Sequence, residues 1–291
     1  RYIENFGENN PALIQPYLNI AMVHYNDKEY EKTDYFLRKS LNLQFLYIQD
    51  QVPYLPLSKR NKFIKTLGIS YPAIFSASNL HEKGKNLALF ARINRHGLLE
   101  EIEKKQMTLT SLEGTQKDLM KRIKEVTNQL SATTSIEKNL ISKLKSQKEK
   151  LEFELYRSLP ELKSKIYNLE DISKELAEDS VLIEYQKYKP FIFDKPEDAL
   201  NEENWAPARY QALILFPNNE VVSIDLGLAS EIDSLISDAI TSSENSLSDA
   251  QSLWNEVGIK IINPLKNNLK KKKILYISPD SELNRIPFSA I

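Results

Sequence analysis

The spacing of apolar residues changes once along this chain, near Tyr167, and that change constrains the fold more than any single motif. Upstream, apolar side chains recur at intervals of three and four residues, the period of a helix face. Downstream they gather into short runs such as Val181-Leu182-Ile183-Glu184-Tyr185, which read as strands. The chain is 291 residues long, enough to bury a sizeable core. The pattern therefore predicts an α + α/β chain in three parts: a helical hairpin over 1–50, a helical region over 51–166 and an α/β part over 167–291.

The first part opens on a helix-start signal, Asn10 followed by Pro11, a proline at the first helical position where its missing N–H costs nothing. Leu13, Tyr17, Ile20, Ala21 and His24 follow at helical spacing. A turn is expected at Asn26-Asp27-Lys28, and Tyr30, Thr33, Phe36, Leu37 and Leu41 resume the pattern. Small residues at Ala21, Thr33 and Ser40 would let two helices approach closely. This is the pattern of one tetratricopeptide repeat (TPR), with Lys28 standing at the repeat's usual turn glycine. A solitary repeat cannot bury its apolar face, so further repeats are expected before Arg1.

From Pro56 to about Gly97 the chain reads as helical, with breaks expected at Pro72 and near Leu80-His81. Then Leu112, Gln116, Leu119, Ile123, Val126 and Leu130 follow a 4-3-4-3-4 spacing, the seam of a coiled-coil-like helix. Thr134-x-x-Glu137 can form a capping box that starts a second helix, along which Leu140, Leu144, Gln147 and Leu151 continue the seam. So short a connection requires the two helices to run antiparallel. Their charges, twelve basic and ten acidic between Leu98 and Arg157, read as a solvated face rather than a nucleic-acid patch.

In the last part, Val181–Tyr185, Tyr210–Phe216 and Val221–Leu226 are expected strands, the last two joined as a hairpin by Pro217-Asn218-Asn219-Glu220. Two helices should follow, over about Ala229–Thr241 and Leu247–Leu269. Lys273–Ser278 then reads as a buried strand ending in Pro279-Asp280. Helices leading into such a strand imply an α/β sheet whose remaining strands lie beyond this sequence.

Two absences exclude whole classes of chemistry. There is no cysteine, hence no disulfide, no thiolate metal site and no cysteine nucleophile in this chain. The seven glycines lie at least thirteen positions apart, whereas phosphate-cradling loops need several within about eight residues. The net charge of −1 gives no footprint for nucleic acid, and residues 196–259 hold twelve acidic side chains against Arg209 alone. No apolar run approaches the ~20 residues of a membrane span, so the expected partners exclude membranes and the expected location is cytoplasmic. The chain opens on Arg1 and stops inside an apolar run at Ile291, so both ends read as cuts in a longer protein.

No side chain stands out as catalytic, cofactor-binding or metal-binding. His24 reads as a packed residue, and His81 and His96 as residues near helix ends. His81-Glu82 lacks the second histidine that a zinc-protease helix needs, and Gly68-x-Ser70 is followed by Pro72 rather than glycine. Lys270–Lys273 reads as a solvated run closing a helix beside an apolar strand. Asp280 reads as a turn aspartate accepting a backbone N–H, with a role in a site as the alternative. Tyr17, Tyr30 and Tyr35 read first as core, with a peptide groove as the alternative.

Three stretches in order resemble the TPR–CHAT family, in which a caspase-like domain is associated with TPR repeats. YLPLSKRNKFI (Tyr54–Ile64) is similar to the aromatic-Leu-Pro-Leu-Ser segment after the last repeat. VLIEY (Val181–Tyr185), YKPF (Tyr188–Phe191), ARYQALIL (Ala208–Leu215) and VVSIDLG (Val221–Gly227) form the second stretch. ILYISPDSELNRIPFSAI (Ile274–Ile291) is similar to the family's strand, Pro-Asp and Leu/Ile-Pro-Phe-x-Ala tail, with Ser281 where glycine is frequent. The resemblance implies a cysteine endopeptidase with partner-sensing repeats, its catalytic His and Cys beyond Pro287-Phe288. No residue here matches a catalytic position. It also implies protein or peptide partners, no cofactor, and a fragment prone to self-association. The alternative is a non-catalytic interaction scaffold with a degenerate protease domain.

Overall fold

A computed structural model describes residues 7–67, 70–78, 83–107, 113–133, 138–159, 166–192 and 205–289. Its helices are α1 (Ile14–Asn26), α2 (Tyr30–Gln51), α3 (Leu57–Lys65), α4 (Ser70–Ala77), α5 (Gly84–Met107), α6 (Gly114–Ala132), α7 (Lys138–Ser158) and α8 (Leu169–Lys174). Then come β1 (Ser180–Tyr188), β2 (Arg209–Leu215), β3 (Val221–Leu228), α9 (Ala229–Glu244), α10 (Ala250–Ile261), α11 (Lys266–Leu269) and β4 (Ile274–Ser278). The chain is mostly helical with one small mixed sheet, as an α + α/β class requires. Two compact units interleave in sequence: one takes residues 1–18, 39–68 and 94–166, the other 19–38, 69–93 and 167–291.

Caps and seams explain the first unit. The Asn10 side chain accepts from Ala12 N at 2.9 Å, satisfying a donor that the start of a helix leaves free, and Pro11 follows as the first residue of a 3₁₀ turn. Ser40 is buried and its hydroxyl donates to Ile14 O at 2.9 Å, so a small polar residue joins α2 to the start of α1. Leu119 and Val126 of α6 pack with Leu144, Leu151 and Leu155 of α7 in one cluster. The Gln116 amide donates to Ser158 O at 2.7 Å, which sets the start of α6 against the end of α7 and makes the pair antiparallel. Leu140, expected in the seam, is 43 % exposed. Leu112, Thr134, Glu137 and the capping box lie outside the described residues.

The YLPLS segment anchors this hairpin. Pro56 precedes α3, and the buried Glu152 of α7 accepts from Leu57 N at 3.1 Å, capping α3 from a distant helix. Ser58 donates to Glu149 at 2.7 Å. Arg60, almost wholly buried, lays its guanidinium over the Tyr156 ring at 5.1 Å and donates to Leu55 O. Burial pushes the Tyr156 phenol up to about 12.

In the second unit the sheet order is β3-β2-β1-β4, with β1 antiparallel to β2 and parallel to β4. Alternation along the strands sorts side chains onto two faces. Val181, Ile183, Tyr185, Tyr210, Ala212 and Ile214 join one core with Ile232, Ile236, Val257 and Ile261 of α9 and α10. Gln186, Tyr188 and Gln211 meet α4 and its C-terminal end instead, through Tyr71, Phe75 and Ser78.

Several expectations need correction. The helix expected over Leu247–Leu269 is split into α10, a 3₁₀ turn at Asn263–Leu265 and α11, because Pro264 has no N–H to give and its ring clashes with a preceding helical carbonyl. Pro72 does not break a helix; it sits in the first turn of α4, where the missing N–H is harmless. The region near Leu80-His81 lies outside the described residues. β4, expected to be buried, is an exposed edge: Ile274, Leu275 and Tyr276 are all open to solvent, Tyr276 at 50 %.

An exposed apolar edge strand templates pairing with another chain. The chain is therefore expected to self-associate at micromolar concentration in light scattering, and Tyr276→Lys should restore a monomer. A monodisperse unmutated chain would show that the edge is already protected.

Candidate functional site

The C-terminal ends of the parallel strands β1 and β4 carry a buried polar cluster. Arg92 of α5 lies 1 % exposed and Glu184 of β1 8 % exposed. Arg92 Nε donates to Glu184 Oε2 at 3.1 Å, Nη2 donates to Pro279 O at 2.9 Å, and Nη1 stands 3.9 Å from Asp280 Oδ1. Burial pushes the Glu184 carboxyl up, against the opposing pull of Arg92 and the Ser278 side chain. One guanidinium thus ties a helix to the middle of β1 and to the C-terminal end of β4.

Asp280 completes the cluster. β4 stops at Ser278, paired with Glu184, so β1 runs on past the end of its neighbour. The Asp280 carboxylate takes over the open N–H, accepting from Lys187 N at 2.7 Å and from Gln186 Nε2 at 3.0 Å. It was expected to accept a backbone N–H within its own turn; the donor is instead on the neighbouring strand. Lys187 in turn reaches Asp233 at 2.6 Å, whose other oxygen accepts from Tyr210 OH at 2.8 Å.

Beside the cluster a cavity of about 380 Å³ opens between α4 and the end of β1. Tyr71, Pro72, Phe75, Tyr188 and Trp205 form its apolar wall, and Gln186, Lys187 and Lys189 supply its polar groups. Phe75 sits edge-on to Tyr71 at 5.1 Å and tilted against Tyr188 at 6.1 Å, while Trp205 meets Phe191 at 5.0 Å. The backbone N–H of Phe191 donates to Ser76 Oγ at 2.7 Å, fixing the chain as it leaves β1.

No family model, curated protein or solved structure matches this chain. Its site must be read from its own residues.

The histidines do not converge. His24 lies half-buried, 2.6 Å from Glu29 and stacked on Phe36, as a packed residue should be. His96 stands in the interior of α5, not near an end, because α5 runs on to Met107. His81 and Gly68 lie outside the described residues, and among those described no group of acidic or histidine side chains could hold a metal ion. Tyr17 is buried as expected and Tyr30 half-buried, but Tyr35 is largely exposed, edge-on to Phe36. Of the lysine run, Lys272 donates to Glu178 O at 2.6 Å and Lys273 stands 3.4 Å from Asp179, so the run clips onto the start of β1 as well as facing water.

Arg92, Glu184 and the aromatic cavity carry the site, and the reading of the sequence singled out none of them. Two signals were present. Arg92 is the one charge in the apolar run Leu87–Ile93, and Glu184 is the one charge in VLIEY. A charge inside an apolar run must find a partner when the run is buried. Among the described residues no helix is long and apolar enough to cross a membrane.

Proposed function

We propose that this chain belongs to a TPR–CHAT protein, a caspase-like cysteine endopeptidase. In this reading the chain supplies the region that engages protein or peptide partners, together with the first strands of the protease fold. The observation that carries it is the backbone at two positions. Lys28 has φ 60° and Ser281 has φ 53°, both in the left-handed region that glycine enters without strain. These are the two positions where the TPR turn and the CHAT Pro-Asp motif commonly carry glycine. Neither lysine nor serine favours that conformation, so the surrounding fold imposes it.

Two further features agree with the reading. The small positions Ala21, Thr33 and Ser40 are all buried. The strand before Pro279-Asp280 pairs in parallel with the VLIEY strand, and Asp280 closes the end of the pair.

Peptide cleavage by this class needs a histidine as general base, a cysteine thiolate as nucleophile and backbone N–H groups to hold the oxyanion. With no cysteine the chain cannot supply the nucleophile. Its own residues act by position: Arg92, Glu184 and Asp280 hold β1 against the C-terminal end of β4, and strand C-terminal ends are where ligands bind in open α/β folds.

The purified chain is expected to turn over no member of a peptide library. Over about 200 residues beyond Ile291, one domain's length, the parent gene should encode a histidine and then a cysteine, each after an apolar strand. The parent protein should then cleave peptides and lose the activity to a thiol-directed inhibitor. Turnover by this chain alone, blocked by that inhibitor, would overturn the reading. Absence of both residues downstream would replace it with the non-catalytic scaffold.

A further inference from the structure

The cavity between α4 and the end of β1 has the size and lining of a small-molecule site. Its volume of about 380 Å³ falls in the range of ligand pockets, which run from about 300 to 1,000 Å³ and are mostly apolar with a few placed polar groups. We propose that it binds a small aromatic carboxylate, the ring among Tyr71, Phe75, Tyr188 and Trp205 and the carboxylate at Lys189.

The aromatic wall alone leaves the ligand's charge open. Cages of aromatic rings also hold quaternary ammonium ions, through attraction of a cation to the ring faces. The polar lining decides against a cation here. Two basic residues, Lys187 and Lys189, line the cavity, and among the described residues no acidic one does. Lys187 is already neutralised by Asp233 at 2.6 Å. Lys189 is exposed and has no ion pair or hydrogen bond among the described residues. Among the described residues, an anion entering the cavity therefore meets one uncommitted positive charge, and a cation meets no acidic partner.

Gln186 strengthens the assignment by what it does not offer. Its amide donates to Lys187 O at 2.6 Å and to Asp280 at 3.0 Å, and its oxygen faces Tyr71 OH at 3.4 Å. Both amide protons are engaged inside the protein. The side chain serves as a fixed wall, and the charge preference rests on Lys189. The aromatic wall is fixed as well, since Phe75 packs on both Tyr71 and Tyr188. A pre-formed wall spares the ligand the cost of ordering it.

A matched pair of probes tests the assignment: 2-naphthoate and 2-naphthylmethylammonium share a ring and differ in charge. In calorimetry on the whole chain, naphthoate should bind at least about tenfold more tightly than the ammonium. Lys189→Glu, a charge reversal at an exposed position, should weaken naphthoate by about tenfold or more and strengthen the cation, with an unfolding midpoint equal to that of the unmutated chain as the check on folding. Trp205→Ala should weaken both. Equal binding of the two probes, no binding of naphthoate at millimolar concentration, or an unchanged preference in Lys189→Glu would each overturn the proposal.

Discussion

Replacing Arg92 with Met should destabilise the second unit by about 3–5 kcal/mol, the cost of leaving a buried charge without its partner. Met fills much of the same volume, so the loss reports charge and hydrogen bonding more than a cavity. Glu184 would keep only the Ser278 side chain, and the Pro279 carbonyl would lose the hydrogen bond from Arg92. The effect should depend on pH, and the sign follows from proton binding. Burial already raises the Glu184 carboxyl above its ordinary value, and removing the guanidinium raises it further. The folded variant then binds a proton that the unfolded chain releases, so its stability rises as pH falls through the raised value toward the ordinary carboxyl range. Denaturant unfolding of wild type and variant at neutral pH and near pH 5 should show the penalty shrink in acid. A penalty that is constant with pH would mean that Glu184 is not the group left unpaired.

In the first unit the largest loss is expected from Leu119→Ala, about 2–5 kcal/mol. Leu119 is 5 % exposed in the cluster where α6 meets α7, and truncation would remove buried methyl groups and leave a void. Leu140→Ala is the matched control on the same helix pair. Its side chain is largely in water, so it should stay within about 0.5 kcal/mol. Denaturant midpoints of the two variants decide the matter. Similar small losses would mean that the seam contributes little to stability in the monomer.

The α6–α7 hairpin was legible because its information is local. Leu119, Val126, Leu144 and Leu151 repeat at the period of a helix face, and a short connection fixes the direction. Strands β1 to β3 were legible for the same reason, from short apolar runs and the turn at Pro217–Glu220. What escaped was pairing at a distance. Arg92 and Glu184 meet across 92 positions, and nothing local to either names the other. Asp280 was read as a donor-seeking turn residue, and it does accept a backbone N–H, from a strand 93 positions away. The exposure of β4 was equally hidden. An apolar run of five reads the same in the middle of a sheet as at its edge, and only the helices that cover it decide. Pro264 is a different case: the signal stood in the sequence, and the apolar spacing on either side outweighed it.

The parallel pairing of β1 with β4 also sets an order in time. β1, β2 and β3 are joined by short-range antiparallel contacts, which close quickly, whereas β1 must wait for a partner some ninety positions downstream. The Lys272 and Lys273 contacts to Glu178 and Asp179 lie just before that pairing begins at Ser180 and Ile274. The lysine run thus clips the start of β1 to the approach of its distant parallel partner.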